Sequence, residues 1–233
     1  LLKKHLKILI RDFGELENFQ VSSKGPLDFV TNSDRKVEKI ILNELSKSRK
    51  NYSILSEEIG EIINSDKDNF WIIDPIDGTT NFMHGIPHFA ISIALKTNNE
   101  IISGLILDPI KNEMFYAEKN NGAFFNNKRV RVSKKRNLDQ CLFATGGKNE
   151  FKSKLNTRRS GSAALDMAYV GAGRYDGHFQ KNLKIWDVAA GIIIIKEAGG
   201  KVNEIDSSNG KNLNIIAGSN SIYDKMTETL GNF

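Results

Sequence analysis

The chain has 233 residues, of which 39% are hydrophobic and 26% charged, with a formal net charge of +5. This length suits one domain or two closely fused lobes, and the composition is that of an ordinary globular protein. A single cysteine, Cys141, excludes a disulfide within the chain, so we expect a reducing compartment such as the cytoplasm. No apolar run is long enough to cross a membrane.

Two helices are predicted in the first part of the chain. Apolar residues recur at helical spacing over Leu2–Phe13, which predicts an amphipathic helix. A second helix is predicted from near Ser33 to Ser46, with Val37 and Ile41 in its apolar stripe. Ser33 or Asp34 stands where a helix cap is expected.

The middle of the chain is predicted to be rich in β-strands. Phe70–Ile73 is a short apolar run that ends in an acidic turn. Phe89–Leu95 and Ile101–Leu107 flank a polar turn, which predicts an antiparallel hairpin. Further strands are expected at Glu113–Ala117 and Ala123–Phe125. In the basic stretch that follows, Lys128–Val132, arginine and valine alternate as in a half-buried strand.

The last third of the chain mixes helices and strands. Two helices are predicted first, and the second is strongly apolar and ends at a glycine pair. Mixed elements with antiparallel pairing predict an α+β fold built in layers. The predicted elements are helices at Ser162–Val170, Trp186–Ala198 and Ile222–Leu230 and strands at Lys201–Ile205 and Leu213–Ala217.

The most informative segment is WIIDPIDGTTNF, Trp71–Phe82, in which an apolar strand delivers Asp74 and Asp77 into a turn. Gly78 permits close backbone approach, and a short helix starting near Thr79 would offer free N–H groups to a phosphate. Carboxylates beside a phosphate repel it unless divalent cations lie between them. The segment therefore indicates a metal–phosphate site, although such a motif alone is more often an acidic surface turn.

Three other acidic segments bear on this hypothesis, and each has an ordinary explanation. Glu57 and Glu58 in SILSEEIG can be solvated, and Asp34 in DFVTNSD can be a helix cap. Asp187 can favour the positive end of the helix that it opens. That helix is apolar enough to be buried, however, and a buried carboxylate needs a cation as its partner.

The donor types indicate which metal such a site would take. Oxygen ligands favour magnesium or a similar hard cation. His84 and His88 have a spacing that can suit zinc, but Gly85 and Pro87 between them argue against a shared helical face.

Taken together, these motifs resemble the inositol monophosphatase family, in its bacterial inositol-1-monophosphatase type. WIIDPIDGTTNF and KIWDVAAG are similar to the two signatures of the family, and DFVTNSD and SEE precede them in the family's order. The resemblance covers nearly the whole chain. It implies a layered αβαβα sandwich of the type shared with fructose bisphosphatases. It also implies a homodimer and a magnesium-dependent, lithium-sensitive phosphatase.

The resemblance further implies a single domain over residues 1–233, with a metal- and phosphate-binding lobe at roughly 1–140 and a substrate lobe at roughly 141–233. It implies two to three magnesium ions. Glu57, Asp74 and the Ile76 carbonyl would hold one, and Asp74, Asp77 and Asp187 the second. A third, weaker ion would lie near Glu57, which we also count among the catalytic residues.

The same resemblance implies the substrate contacts. Thr79 with Asp34 would orient the attacking water, and the N–H groups of Gly78 and Thr79 would hold the phosphate close to Asp77 and Asp187. Gln180 stands where inositol-specific relatives carry a glutamate that contacts the sugar. The alcohol pocket would be lined by Gly161, Ser162 and Ala163.

Several functions share this pattern. Inositol 1-phosphate is the leading substrate. Histidinol phosphatase, fructose-1,6-bisphosphatase and nucleotide 3′-phosphatase are alternatives of the same superfamily. The basic segments Lys128–Arg136 and Lys148–Arg159 permit an additional role with RNA or the transcription machinery, to which some bacterial relatives have been linked, but a solvated surface explains them as well.

Overall fold

Two β-sheets alternate with layers of helices in the computed structural model, which describes residues 7–14, 21–25, 28–146, 155–205 and 212–231. The α-helices are α1 Lys7–Gly14, α2 Asn32–Ser48, α3 Thr79–Met83, α4 Ala163–Gly171, α5 Ile185–Glu197 and α6 Tyr223–Leu230, and a short 3-10 helix covers Leu138–Gln140. None of the helices in these ranges is long and apolar enough to span a membrane.

The larger sheet has eight strands in the order β10-β9-β8-β7-β6-β5-β3-β4, and the smaller has five in the order β12-β11-β13-β15-β14. A separate hairpin joins β1 and β2. The strands are β1 Val21–Gly25, β2 Asp28–Thr31, β3 Tyr52–Ser56, β4 Gly60–Ile62, β5 Asp66–Asp77, β6 Ala90–Thr97, β7 Glu100–Asp108, β8 Glu113–Glu118, β9 Gly122–Phe125, β10 Lys128–Val130, β11 Phe143–Ala144, β12 Thr157–Arg158, β13 Gly177–Leu183, β14 Gly200–Val202 and β15 Leu213–Ser219.

Three apolar clusters hold the layers together. On the outer face of the larger sheet, Val37 and Ile41 of α2 pack with Ile73 of β5. Helices α4 and α5 lie between the two sheets in the central cluster, which is the most extensive. Beyond the smaller sheet, Met226 of α6 packs with Phe179. The result is an α+β sandwich with αβαβα layers, which confirms the fold predicted from the sequence.

A glycine allows the central helix layer to approach the larger sheet. A Cβ atom on Gly104 of β7 would lie 2.7 Å from the Ala190 Cα atom of α5. The apolar residues of α5 therefore pack directly on the sheet, and the first turn of α5, with Asp187, is held in the interior.

The predicted hairpin between β6 and β7 is confirmed, with Thr97 paired with Glu100. Asn98 and Asn99 form its turn with φ values of 48° and 63°, as a two-residue hairpin turn requires. Two strand predictions were too long, because pairing ends at Val130 and at Val202.

The predicted cap of α2 was wrong. The helix begins at Asn32, so Ser33 and Asp34 lie inside its first turn, where both are buried. The Ser33 hydroxyl donates instead to the Asp12 carboxylate at 3.0 Å, which links α2 to α1. The predicted start of the first helix at Leu2 and most of the basic segment 148–159 lie outside the described residues.

Candidate metal and phosphate site

A cleft of about 390 Å³ opens where the end of β5 meets the first turns of α4 and α5. All the site residues predicted from the sequence line it except Asp34, which is fully buried in α2. The lining residues are Glu57, Asp74, Ile76, Asp77, Gly78, Thr79, Thr80, Gly146, Gly161, Ser162, Ala163, Asp166, Gln180, Leu183 and Asp187.

An irregularity in β5 directs two carboxylates into this cleft. In a regular strand, residues three apart point to opposite faces of the sheet. The pairing with β6 shifts register between Asp74 and Asp77, and the Ile76 N–H donates to Asp74 Oδ1 at 2.9 Å. Bulges of this kind commonly redirect side chains beside functional sites. Asp74 and Asp77 are therefore brought to one side, although both are buried.

Asp187 reaches the same point from α5. Its Oδ2 accepts a hydrogen bond from the Lys184 N–H at 2.8 Å, which fixes the carboxylate at the beginning of the helix. Carboxylate oxygens of Asp74, Asp77 and Asp187 all lie within 4.8 Å of one another. In the described part of the chain, this triad is the one group of His, Cys, Asp and Glu close enough to share an ion.

The triad is electrostatically costly by itself. Burial raises the pKa of Asp74 well above its usual range, and the charges of Glu57, Asp77 and Asp187 raise it further. Burial raises the pKa of Asp187 to about 7, and the charge of Asp77 adds to the effect. A bound divalent cation would relieve this repulsion, and the oxygen donors suit a hard ion, so the residues fit the metal that the fold implies.

Asp77 is tied to the other side of the cleft by α4. Burial raises its pKa to about 6, although hydrogen bonds from Ser162 and Ala164 oppose that rise. The Ser162 hydroxyl donates to Asp77 Oδ2, and the Ala164 N–H donates to the same oxygen at 2.9 Å. Ser162 also caps α4, because its hydroxyl oxygen accepts from the Leu165 N–H. The positive end of α4 thus holds an anionic side chain of β5.

The turn after Asp77 requires glycine. Gly78 has a φ of +95°, and a Cβ atom there would lie 3.2 Å from the backbone oxygens of both Gly161 and His88. Thr79 begins α3, and its hydroxyl donates to the Ile76 carbonyl at 3.0 Å. Because Asp34 is not among the residues that line the cleft, its joint action with Thr79 on one water stays a prediction.

Asp166 is a cleft residue that sequence reasoning missed. It lies on α4 and is almost fully buried, and burial raises its pKa well above the usual range. The Ser160 hydroxyl donates to its Oδ1 at 2.6 Å, and its Oδ2 lies 3.8 Å from the Nδ1 atom of His178. An acid inside an apolar helix, four residues after Ser162, was the available signal.

Gln180 lies on β13 and faces the cleft opposite Gly146. A Cβ atom on Gly146 would come within 2.2 Å of Gln180 Oε1, so the glycine leaves room for the amide. The structure therefore places Gln180 in the lining of the cleft, beside Gly146.

The sequence is similar to a known family and to named proteins over nearly its whole length. The family model described as "Inositol monophosphatase family" matches residues 1–231. The inositol-1-monophosphatase of Caulobacter vibrioides is 44% identical, over 98% of this chain and 97% of that protein. The Nus factor SuhB of Escherichia coli K12 is 38% identical, over 96% of this chain and 90% of that protein.

Solved structures agree as well. The crystal structure of the extragenic suppressor protein suhB from Bartonella henselae superimposes with a TM-score of 0.91 at 48% identity, covering 98% of this chain and 95% of that one. The chain therefore belongs to the inositol monophosphatase family, a family of metal-dependent phosphatases.

Proposed function

We propose that this protein hydrolyses a small phosphate monoester in a magnesium-dependent reaction, with inositol 1-phosphate as the leading substrate. The observation that carries the proposal is the triad of Asp74, Asp77 and Asp187, the first two buried and the third partly buried, beside the glycine turn that opens α3. Like-charged buried carboxylates are retained where a cation joins them, and the neighbouring N–H groups suit a phosphate. The name of the Caulobacter relative supports inositol 1-phosphate.

Each residue has a role in this proposal. Glu57, Asp74 and the Ile76 carbonyl would hold one magnesium ion, and Asp74, Asp77 and Asp187 would hold a second. The bound ions would supply electrostatic stabilisation to the oxygens that gain charge during phosphoryl transfer. The N–H groups of Gly78 and Thr79 would bind the phosphate oxygens. The Thr79 hydroxyl would orient the attacking water, together with Asp34.

The alcohol half of the substrate would lie against α4 and β13. Gly161, Ser162 and Ala163 line that side of the cleft, and Gln180 offers both an acceptor and two donors there. Gln180 has no charge with which to favour the hydroxyl groups of a sugar. The alternative substrates therefore stay open: histidinol phosphate, fructose 1,6-bisphosphate and nucleoside 3′-phosphates.

The direct test is phosphate release across a panel of these four esters, with magnesium and with excess chelator. We expect turnover only with magnesium, and the highest kcat/KM for inositol 1-phosphate. Full activity in excess chelator would overturn the proposal. A clear preference for another ester would keep the phosphatase and replace its substrate.

Further properties follow from the same proposal and need their own measurements. Lithium is expected to inhibit turnover, and light scattering is expected to give the mass of a homodimer.

The division into lobes at about residue 140 is supported by the sheets, because the larger sheet ends at Val130 and the smaller begins at Phe143. Cytoplasmic location would be tested by fractionation.

A second candidate function is binding to RNA or to the transcription machinery. It is favoured by exposed cations in the segment 128–136, including Arg129, Arg131 and Lys134, and by the printed name of the Escherichia coli relative, a Nus factor. Binding through these cations would release counterions, so affinity is expected to fall steeply with salt. Absence of RNA binding at low salt would remove this candidate.

A further inference from the structure

The loop that carries Glu57 has little apolar anchorage of its own. It joins β3 to β4 through three residues, Glu57, Glu58 and Ile59, and β4 is a short edge strand of the larger sheet. Ile59 and Ile62 are 43% and 40% exposed, so their side chains do not bury the loop. Other interactions must therefore fix where Glu57 points.

The backbone supplies part of that anchorage. Ser56 pairs with Gly60 across the loop, and Gly60 has a φ of +75°, as three-residue hairpin loops favour. The Glu57 N–H donates to the Ile73 carbonyl at 3.2 Å, which places the residue beside Asp74. The charge of Glu57 contributes to the raised pKa of Asp74, in keeping with that proximity.

A buried carboxylate on α2 contacts both ends of this loop. Glu38 is only 2% exposed, and its Oε1 accepts a hydrogen bond from the Ser56 hydroxyl and another from the Ile59 N–H at 3.2 Å. One oxygen atom thus contacts the residue before Glu57 and the residue two after it. Hydrogen bonds to an ionised carboxylate are stronger than neutral ones, and a buried carboxylate is costly without them.

We propose that Glu38 is a positioning residue for the metal site, because it fixes the loop from which Glu57 reaches toward Asp74. The hydrogen-bond donors to Glu38 are Ser56 and Ile59, which are not predicted metal ligands, so Glu38 would act through the loop. The inference rests on the proposed function, in which Glu57 holds a magnesium ion. Residues that orient metal ligands in this way typically change metal affinity by about 10- to 100-fold when they are replaced.

The test is isothermal titration calorimetry of the full chain with Mg²⁺ alone, in the absence of substrate. Glu38→Ala removes both hydrogen bonds and is expected to weaken magnesium binding by about 10- to 100-fold. Glu38→Gln keeps an acceptor oxygen of the same reach and is expected to stay within about threefold of wild type. Ser56→Ala removes one bond and is expected to weaken binding by about threefold or more.

Asp176→Asn is the matched control. Asp176 is also a buried carboxylate that accepts from a backbone N–H, that of Leu142 at 2.7 Å, but it does not line the cleft. Its replacement is expected to leave magnesium affinity unchanged. The Tm of every variant would show whether it is folded.

Two results would overturn the inference: wild-type affinity in folded Glu38→Ala, or equal weakening in Asp176→Asn. If Glu38→Ala does not fold, unchanged affinity in Ser56→Ala overturns it instead. A wild-type chain that does not bind magnesium would refute the proposed function itself, which is a distinguishable result.

Discussion

Within the described residues, an acidic cluster and a basic segment have opposite surroundings. The cleft gathers Asp74, Asp77 and Asp187 within 4.8 Å of one another, and Asp74 and Asp77 are buried. The basic segment 128–136 keeps its cations exposed, and Lys135 there pairs with the carboxylate of Asp176 at 3.0 Å. Water and salt screen exposed charges, whereas buried charges of one sign shift their pKa values and need a counterion.

Burial, and not charge density along the chain, distinguishes the acidic cluster from the basic segment. Along the chain the basic segment is the denser cluster, because its charges are nearly consecutive. In space the acids are the more strongly coupled group. If the acids carry the chemistry and the cations are dispensable for it, substitutions in the two groups should have very different effects on turnover.

The largest effect is expected at Asp77. Asp77→Asn removes a charge from the triad but keeps an acceptor for Ser162 and Ala164, so the chain should fold while kcat falls about 10²-fold or more. Thr79→Ala should also lower kcat strongly. Steady-state kinetics at saturating magnesium, with Asp176→Asn as the control, would measure both. A near-normal kcat in Asp77→Asn would contradict the metal assignment.

Stability should depend on pH because the triad titrates in the folded protein. The pKa values of Asp77 and Asp187 are raised to about 6 and about 7, from an ordinary value of 3.8. Between about pH 4 and pH 7 the folded state therefore binds more protons than the unfolded state. In chelator, the free energy of unfolding should fall as pH rises through this range.

Magnesium should reverse this loss near pH 7, because it binds the ionised carboxylates of the folded state and raises Tm by mass action. Thermal melts with and without magnesium across that pH range would measure the effect. Identical melts in magnesium and chelator at pH 7 would show that the triad holds no ion.

A smaller effect is expected at Gln180. A glutamate there would accept charge-assisted hydrogen bonds from sugar hydroxyls, so Gln180→Glu should raise the preference for inositol 1-phosphate over glycerol 2-phosphate by about 1 kcal/mol, or about fivefold in kcat/KM. Gln140→Glu is the matched control, since Gln140 is exposed and away from the cleft. Unchanged ratios would mean that Gln180 does not contact the substrate alcohol.

The smallest effect on catalysis is expected in the basic segment. Replacing Arg129, Arg131, Lys134 and Lys135 by glutamine should leave kcat and KM within about twofold, because exposed charges outside the cleft contribute little to the site. If the segment binds RNA, the same variant should bind it more weakly and with a shallower salt dependence. A large loss of phosphatase activity would show that the basic segment also contributes to catalysis.

The periodic elements were predictable from the sequence because their patterns are strong. The spacing of Val37 and Ile41 indicated α2, and the continuous apolar run after Asp187 indicated a buried helix, as found. The strand predicted to reach Val132 ends at Val130, because alternation of residue types cannot show where a partner strand stops.

The sequence by itself determined the family, the layered α+β class and the acidic residues that converge. It could not show how they converge. A register shift in β5 turns Asp74 and Asp77 to one side, and α5 brings Asp187 to them from more than 100 residues later in the chain. Two supporting positions, Asp166 in the lining of the cleft and Glu38 against the Glu57 loop, were decided by tertiary packing. Glu38 accepts from the hydroxyl of Ser56, 18 residues later, and Asp166 lies 3.8 Å from His178, 12 residues later, so neither contact could be read from the local sequence.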